Sequence, residues 1–228
     1  MTQCGLGRTA AILLLVTASG CGPTHGAPAP GPTPASQSSA AAAAAKAQAD
    51  SVRRSYTAAD VEFMSHMIGH HAQAIAMAEW APTHGASPSV QVLAARIINA
   101  QQDEIATMQR WLRARGLPVP ESKPGPMKMT MDGMEHEMLM PGMLTEEQMQ
   151  RLDAARGSEF DRLFLTYMIQ HHTGALTMVQ QLFQSPGAAQ DDKVFKFASD
   201  VSADQSTEVA RMQRMLDAMP PEGARSSR

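Results

Sequence analysis

The segment Phe63-Met64-Ser65-His66-Met67-Ile68-Gly69-His70-His71 returns 101 positions later as Phe164-Leu165-Thr166-Tyr167-Met168-Ile169-Gln170-His171-His172. A second block, which contains Gln101 and Glu104, returns at Gln205 and Glu208, 104 positions further along the chain. Self-similarity of this kind predicts two related structural units that bury a shared core. The fold prediction therefore starts from the repeat.

Each unit has the pattern of a helical hairpin. Apolar residues recur three and four positions apart, which is the period of an amphipathic helix rather than of a strand. Thr57 and Thr145 are typical N-caps, and Gly116 and Pro186-Gly187 mark helix ends. Two hairpins can bury their apolar faces only against each other. The sequence therefore predicts an all-α fold, a four-helix bundle built from two repeated helical hairpins.

The composition divides the 228 residues into a folded part and flanking segments. Residues 21–50 are mostly Pro, Ala, Ser and Gly, which cannot bury enough surface to offset their ordering entropy, so we expect a disordered tether. The hairpins are predicted at 51–117 and 145–219. A methionine-rich loop at 118–144 joins them, and a disordered tail follows at 220–228.

Residues 1–20 have the pattern of a secretory signal. Arg8 precedes an apolar run, and small residues lead to Cys21. The run is shorter than the roughly 20 apolar residues that span a bilayer. The Ala18-Ser19-Gly20-Cys21 ending resembles the lipobox of bacterial lipoproteins. It predicts an exported protein, lipid-anchored at Cys21 to a membrane surface of the cell envelope; simple secretion is the alternative.

Cysteine usage excludes thiol chemistry in the mature chain. Cys4 leaves with the signal and Cys21 takes the lipid, so no thiol pair remains for a disulfide or a thiolate metal site. Any soft metal ligand must then be methionine.

The predicted first helix of each hairpin carries imidazole and thioether groups on its apolar side. Buried imidazoles are costly unless they are hydrogen-bonded or ligated, so the duplicated set points to a metal site rather than to ordinary polar packing, which is the alternative. The candidate ligands are His66, Met67, His70, His71 and Met77 in the first copy and Met168, His171, His172 and Met178 in the second.

The second helices carry a matching polar stripe, namely Gln101, Glu104, Gln205 and Glu208. Carboxylates in this position commonly accept the free N–H of a ligating histidine and so orient it. We expect this supporting role, with direct ligation by Glu104 and Glu208 as the alternative.

A methionine-rich tract lies between the hairpins. Seven methionines and one histidine fall within 17 residues: Met127, Met129, Met131, Met134, His136, Met138, Met140 and Met143. Glycine and proline breaks argue against a buried helix, so we expect an irregular, exposed segment. Thioether sulfur is soft and favours Cu(I), so the tract is interpreted as a copper-capturing segment. A hydrophobic flap and a sacrificial oxidant sink are the alternatives.

These blocks resemble the DUF305 family. The similarity rests on Phe63 to Ala74, on Gly142-Met143-Leu144 and on Phe160 to Ala175, and it extends over about residues 57–216. The resemblance implies an envelope protein with a ferritin-like four-helix fold, and some family members bind copper through Met and His. The polar positions that recur in the family fall on His70, His71, His171 and His172, with Met67 and Met168 beside them. Gly69 and Gln170 depart from the family pattern, which often has proline there.

We therefore expect a binding protein rather than an enzyme: a copper buffer, chaperone or resistance protein that takes Cu(I), with Cu(II) at the histidines as a further option. A ferritin-like di-iron or di-manganese oxidase is the alternative, but neither His-His pair has the Glu-x-x-His spacing of such centres. A metal-free structural module is the third reading. The formal charge of −3 gives no reason to expect a nucleic-acid partner, and a homo-oligomer remains open.

Overall fold

The computed structural model describes residues 56–125, 127–131 and 134–221. Within them lie five α-helices and two short strands: α1 Ala58–Glu79, α2 Pro88–Ala114, β1 Met127–Met131, β2 Met134–Met138, α3 Glu146–Ala154, α4 Gly157–Gln184 and α5 Asp192–Asp217. The predicted signal segment, the tether and Cys21 lie outside the described residues.

Local sequence chemistry explains where the helices begin. Thr57 and Asp60 form a complete capping box at the start of α1, and Thr145 and Gln148 form another at α3. Each box satisfies backbone N–H groups that the first helical turn would leave unpaired. The helix start predicted at Thr57 and the capping box predicted at Thr145 are confirmed.

The four long helices pack as two pairs. α1 packs along α2, α4 packs along α5, and the two pairs meet where α1 lies against α4. The apolar core on both sides of this contact includes Met67 and Phe63 in one cluster and Met168 and Phe164 in the other. The helical fold class predicted from the sequence is confirmed. Among the described helices, none is long and apolar enough to cross a bilayer.

In each helical pair, a buried aspartate forms a hydrogen bond with a turn of the other pair. Asp60 in α1 accepts a hydrogen bond from the backbone N–H of Ala189, in the turn between α4 and α5 (2.7 Å). Its repeat counterpart, Asp161 in α4, accepts from the backbone N–H of Ser87, between α1 and α2 (3.1 and 3.2 Å). The two turns are therefore held by equivalent residues of the opposite pair.

The methionine-rich connection differs from its prediction. The sequence predicted an irregular loop, whereas β1 and β2 pair antiparallel, with Met129 opposite His136. Methionine at every second position has the period of a strand, in which alternate residues share a face. The Gly and Pro breaks excluded a helix, but they do not exclude a short hairpin.

The end of the connection is a buried strap, which we define as residues 140–144. Met140 and Met143 are each 4% exposed and belong to the core, so the prediction of an exposed tract was wrong for these two residues. The strap lies against α4 because Gly142 and Gly174 provide room: a Cβ on Gly142 would be 2.5 Å from the Gln170 carbonyl oxygen. The two glycines thus let two backbones approach closely.

Candidate metal centre

Four histidines meet at the contact between α1 and α4. His70, His71, His171 and His172 are all fully buried. The rings of His70 and His171 are in contact across the two helices, with centroids 3.9 Å apart and their planes tilted by 40°. The neighbouring rings of His71 and His172 lie 6.4 and 6.2 Å from His70 and His171, respectively. The predicted His-His pairs therefore face the core of this chain, and we call the four residues the histidine quartet.

An oxygen lies close to Nε2 in three members of the quartet. Nε2 of His70 is 2.9 Å from the Pro141 carbonyl oxygen. Nε2 of His172 is 2.7 Å from Oε2 of Glu208, and Nε2 of His71 is 2.7 Å from Oε2 of Glu104, although the latter contact is not aligned as a hydrogen bond. Carbonyl and carboxylate oxygens only accept, so they favour a proton on Nε2 of each ring.

The opposite nitrogen of the same three rings is left free. Nδ1 of His70, His71 and His172 is buried without a hydrogen-bond partner in the described residues. A neutral imidazole with its proton on Nε2 presents a lone pair at Nδ1, and an oxygen partner at the other nitrogen is the usual support of a ligating histidine. Each of these three Nδ1 atoms could therefore serve as a nitrogen ligand for a metal ion.

Burial keeps the central pair neutral. The pKa of His70 is lowered from 6.5 to about 3, mainly by desolvation and then by the neighbouring His71, against the opposing effect of the Pro141 hydrogen bond. Desolvation, followed by the neighbouring His70, also lowers the pKa of His171 well below its ordinary value. Two neutral rings can supply lone pairs at physiological pH, which two imidazolium ions in contact could not.

The polar stripe on the second helices divides into two kinds of residue. Glu104 and Glu208 reach the quartet, and the side chain of each is 18% exposed, so each also reaches solvent. Gln101 and Gln205 are only 2% exposed, and their buried side-chain oxygens have no hydrogen-bond partner in the described residues. The glutamates thus sit where a supporting role requires them, whereas the glutamines make no hydrogen bond to the histidines.

The predicted methionine ligands of the helices are distributed around the quartet. Met67, Met77 and Met168 are fully buried, and Met178 is 7% exposed. Met67 and Met178 belong to one core cluster, and Met77 and Met168 belong to the other. Within the described part of the chain, His, Cys, Asp and Glu side chains form no group of three or more that could hold a metal ion.

The hairpin gathers the remaining donors on one face. The strand register places Met127 opposite Met138, Met129 opposite His136 and Met131 opposite Met134. Directly opposite residues share a face, and alternate residues along a strand share it too. All six soft donors therefore occupy one face of the hairpin, and Lys128, Thr130, Glu135 and Glu137 occupy the other.

His66 stands apart from the quartet. It lies one turn before His70 and is partly exposed, beside a cavity of about 190 Å³ that Met140 and Met178 also line. Burial lowers its pKa, and the nearby Glu62 opposes that shift. The structure thus separates the predicted set into a histidine quartet, a hairpin face and this cavity.

Sequence reasoning missed the residues that hold the strap. The side chain of Gln73 donates to the Leu144 carbonyl (3.0 Å) and accepts from the Leu144 N–H (2.7 Å). Its counterpart in the repeat is Gly174, which makes room for Pro141 and Gly142. The sequence signal was one mismatch among several, because Gln73 aligns with Gly174 within the repeated segment. His84, which is buried outside the quartet against Asp153, was also missed.

Comparison with known proteins relates the chain to one family. The family described as "Domain of unknown function (DUF305)" matches residues 60–216. Among curated proteins, none matches the sequence significantly. A DUF305 fragment from Deinococcus radiodurans is 26% identical, with a TM-score of 0.59, and the alignment covers 72% of this chain and 99% of that one.

Two further solved structures are similar over most of their length. A DUF305 protein from Streptomyces coelicolor is 28% identical, with a TM-score of 0.57 and coverage of 70% of this chain and 92% of that one. CopM in its Cu(I)-bound form is 28% identical, with a TM-score of 0.50 and coverage of 69% and 95%. CopM has also been solved in a Cu(II)-bound form.

Proposed function

The chain belongs to the DUF305 family, and from this membership and the geometry of its core we propose that it is a copper-binding protein of the bacterial cell envelope. The observation that carries the proposal is the histidine quartet, in which three buried Nδ1 atoms have no partner in the described residues while an oxygen lies near Nε2 of the same three rings. A purely structural histidine would be expected to satisfy both nitrogens once buried.

The softness of the donors favours copper. The quartet supplies imidazole nitrogen, and the core around it and the hairpin face supply thioether sulfur. Imidazole and thioether together suit copper, whereas carboxylate and water suit harder ions. The similarity to CopM, which is solved with Cu(I) and with Cu(II), supports the same assignment. Iron or manganese at a ferritin-like centre is the weaker alternative, because no Glu-x-x-His spacing accompanies the histidines.

The two kinds of donor suggest two separate roles, metal uptake and metal storage. The hairpin face would take up Cu(I), and the quartet would hold copper away from solvent. Access to the quartet is available through Glu104, which touches His71 and also lines a groove of about 710 Å³ between α2 and α5. This assignment makes the protein a buffer or chaperone rather than an enzyme.

The envelope location and the finer architecture complete the proposal. A lipid on Cys21 would hold the domain on a membrane surface through the tether, as the lipobox-like ending indicates. The four long helices would form a ferritin-like four-helix bundle, which the pairing of α1 with α2, of α4 with α5 and of α1 with α4 supports.

Anaerobic Cu(I) titration against a chromogenic chelator tests the quartet. The chain from residue 21 would carry Cys21→Ser, so that no thiol competes for the metal. Replacing both central rings, His70→Gln with His171→Gln, should lower Cu(I) affinity at least about tenfold, the scale seen when the support of a metal site is lost. The matched control is His84→Gln, which removes a buried histidine outside the quartet and should leave the affinity unchanged.

Circular dichroism on each variant separates a lost site from a lost fold. A folded double variant that binds Cu(I) as tightly as the parent chain contradicts the proposal. In the same titration, a Gly/Ser linker in place of 127–138 should reduce the number of Cu(I) ions bound and leave the helices folded. The linker stops before Met140, because Met140 and Met143 belong to the core.

A further inference from the structure

A small cavity lies where the strap meets the two hairpins. It has a volume of about 190 Å³, and its walls come from α1, from the strap and from the C-terminal half of α4. Three of its lining side chains carry soft or borderline donors, namely His66, Met140 and Met178. These residues are far apart in sequence, so the fold, and not local spacing, brings them to one cavity.

From this convergence we propose that His66, Met140 and Met178 form a separate binding site for a soft monovalent cation, Cu(I) or Ag(I). Two thioether sulfurs and one imidazole nitrogen are a donor set that such ions accept and that Mg or Ca does not. No donor in the set is a thiol, so the site needs no deprotonation and does not oxidise to a disulfide. The inference rests on the proposed function in one respect, that the chain handles soft metal ions.

The burial of the donors suits an ion shielded from water. Met140 and Met178 are 4% and 7% exposed, whereas His66 is partly exposed and forms the side open to solvent. Neither ring nitrogen of His66 is hydrogen-bonded to another described residue. A partly open imidazole beside two buried thioethers would let an ion enter at the histidine and shed its water at the sulfurs.

The repeat shows that this site is not a duplicated one. The counterpart of His66 is Tyr167, and the counterpart of Met178 is Met77. Met77 is fully buried in the other core cluster and does not line the cavity. The third donor, Met140, comes from the strap, which connects the two repeats. We therefore expect one such site per chain.

The cavity is also connected to the histidine quartet. Pro141 lines the cavity, and its carbonyl oxygen accepts the hydrogen bond from Nε2 of His70. An ion bound to Met140 would hold the adjacent Pro141 in place and with it the orientation of the His70 ring. In sequence, Met140 comes soon after the end of the hairpin at Met138 and directly before Pro141, which contacts the quartet, so the site is suited to pass an ion from one to the other.

Methionine-methyl NMR during Ag(I) titration tests the site. Ag(I) is the probe because it is as soft as Cu(I) and does not change oxidation state. In the chain from residue 21 with Cys21→Ser, labelled on methionine methyl carbons, the signals of Met140 and Met178 should shift together within one added equivalent. Met178→Leu should reduce bound Ag(I) by one equivalent, whereas the matched control Met108→Leu, in the same core cluster but outside the cavity, should not.

Two further variants guard against a folding artefact. Met140→Leu keeps the volume of the side chain and should abolish the same equivalent, and His66→Tyr, which installs the residue of the second repeat, should weaken it at least tenfold. Met140 and Met178 signals that stay unchanged up to saturation would overturn the inference, as would an equal loss in Met108→Leu.

A parallel Ag(I) titration of the same chain with nitrogen-labelled histidine rings, read beside the methionine signals, separates this inference from the proposed function. Shifts of the quartet histidines without any change at Met140 and Met178 would refute the cavity site and leave the proposed function standing. Shifts at Met140 and Met178 without any change at the quartet would support the cavity site and contradict the role assigned to the quartet.

Discussion

His70 carries its ring proton on Nε2 because the Pro141 carbonyl oxygen, 2.9 Å away, can only accept a hydrogen bond. The lone pair is then on Nδ1, which is buried and has no partner in the described residues. Leaving a buried acceptor unpaired costs about 1–3 kcal/mol. An apo protein that maintains such groups in duplicate is expected to recover that cost when a ligand binds them.

Residue chemistry also predicts how the metal-free protein responds to acid. The pKa of His70 is about 3 in the folded chain and 6.5 ordinarily, so the unfolded chain binds a proton at pH values where the folded chain does not. The free energy of unfolding should therefore fall as pH drops from 6.5 towards 3, by up to about 1.4 kcal/mol per pH unit for this one group. Urea unfolding between pH 5 and 6.5 measures the slope.

The matched comparison is His70→Gln, which should show a shallower slope over the same interval. Asp191, whose folded-state pKa is lowered, does not contribute to the change there because it stays ionised at these pH values. Equal slopes in the parent chain and in the variant would show that His70 is not held neutral by burial.

At the scale of elements, the strap is the feature that links the donors. From α1, the side chain of Gln73 forms hydrogen bonds with the backbone N–H and the carbonyl of Leu144. From α4, the side chain of Gln170 donates a hydrogen bond to the Gly142 carbonyl (3.3 Å). Gly174 leaves the space into which Pro141 fits. These contacts hold Pro141 against His70 and Met140 against the cavity.

A single added methyl group tests whether the strap is inserted as described. A Cβ on Gly174 would collide with the Pro141 carbonyl, so Gly174→Ala should lower the free energy of unfolding by about 1–3 kcal/mol, as overpacking does. The control is Gly69→Ala in α1, where a Cβ would lie 3.5 Å from the nearest atom. That substitution should be neutral or stabilising, because alanine favours helix. A neutral Gly174→Ala would mean that the strap does not enter this groove.

The hairpin shows where sequence patterning was misinterpreted. Glycine and proline around Met127 to Met143 indicated a loop, yet methionine and histidine at alternate positions are typical of strands. Alternation of this kind predicts a strand, whereas the density of methionine indicates only the chemistry of the segment and not its backbone structure. The hairpin matters for function because its strand register, and not the composition, pairs the methionine and histidine positions with one another.

At the scale of the whole molecule, the repeat accounts for most of what the sequence could predict. The helical class and the N-caps at Thr57 and Thr145 followed from local signals. The site was predictable as a set of residue types, because His-His pairs recur with methionine at helical spacing.

What could not be predicted depends on contacts between distant segments. The hydrogen bond between Asp60 and Ala189 joins residues that are 129 positions apart in sequence, and the one between His70 and Pro141 joins residues that are 71 positions apart. The buried ion pair of Arg115 with Asp191, with Arg115 stacked on Trp111, likewise joins the two hairpins. Such pairings depend on how the hairpins dock, and one sequence carries no direct signal of docking.

Nitrogen NMR of the histidine rings is the most direct test of the central claim, that the buried imidazoles present Nδ1 to a soft metal ion. In the metal-free chain at neutral pH, His70 should be neutral with its proton on Nε2. Addition of Ag(I) should then move the Nδ1 resonances of the quartet far more than those of Nε2. Rings protonated on Nδ1, or Nδ1 resonances that do not respond to the metal, would contradict the account.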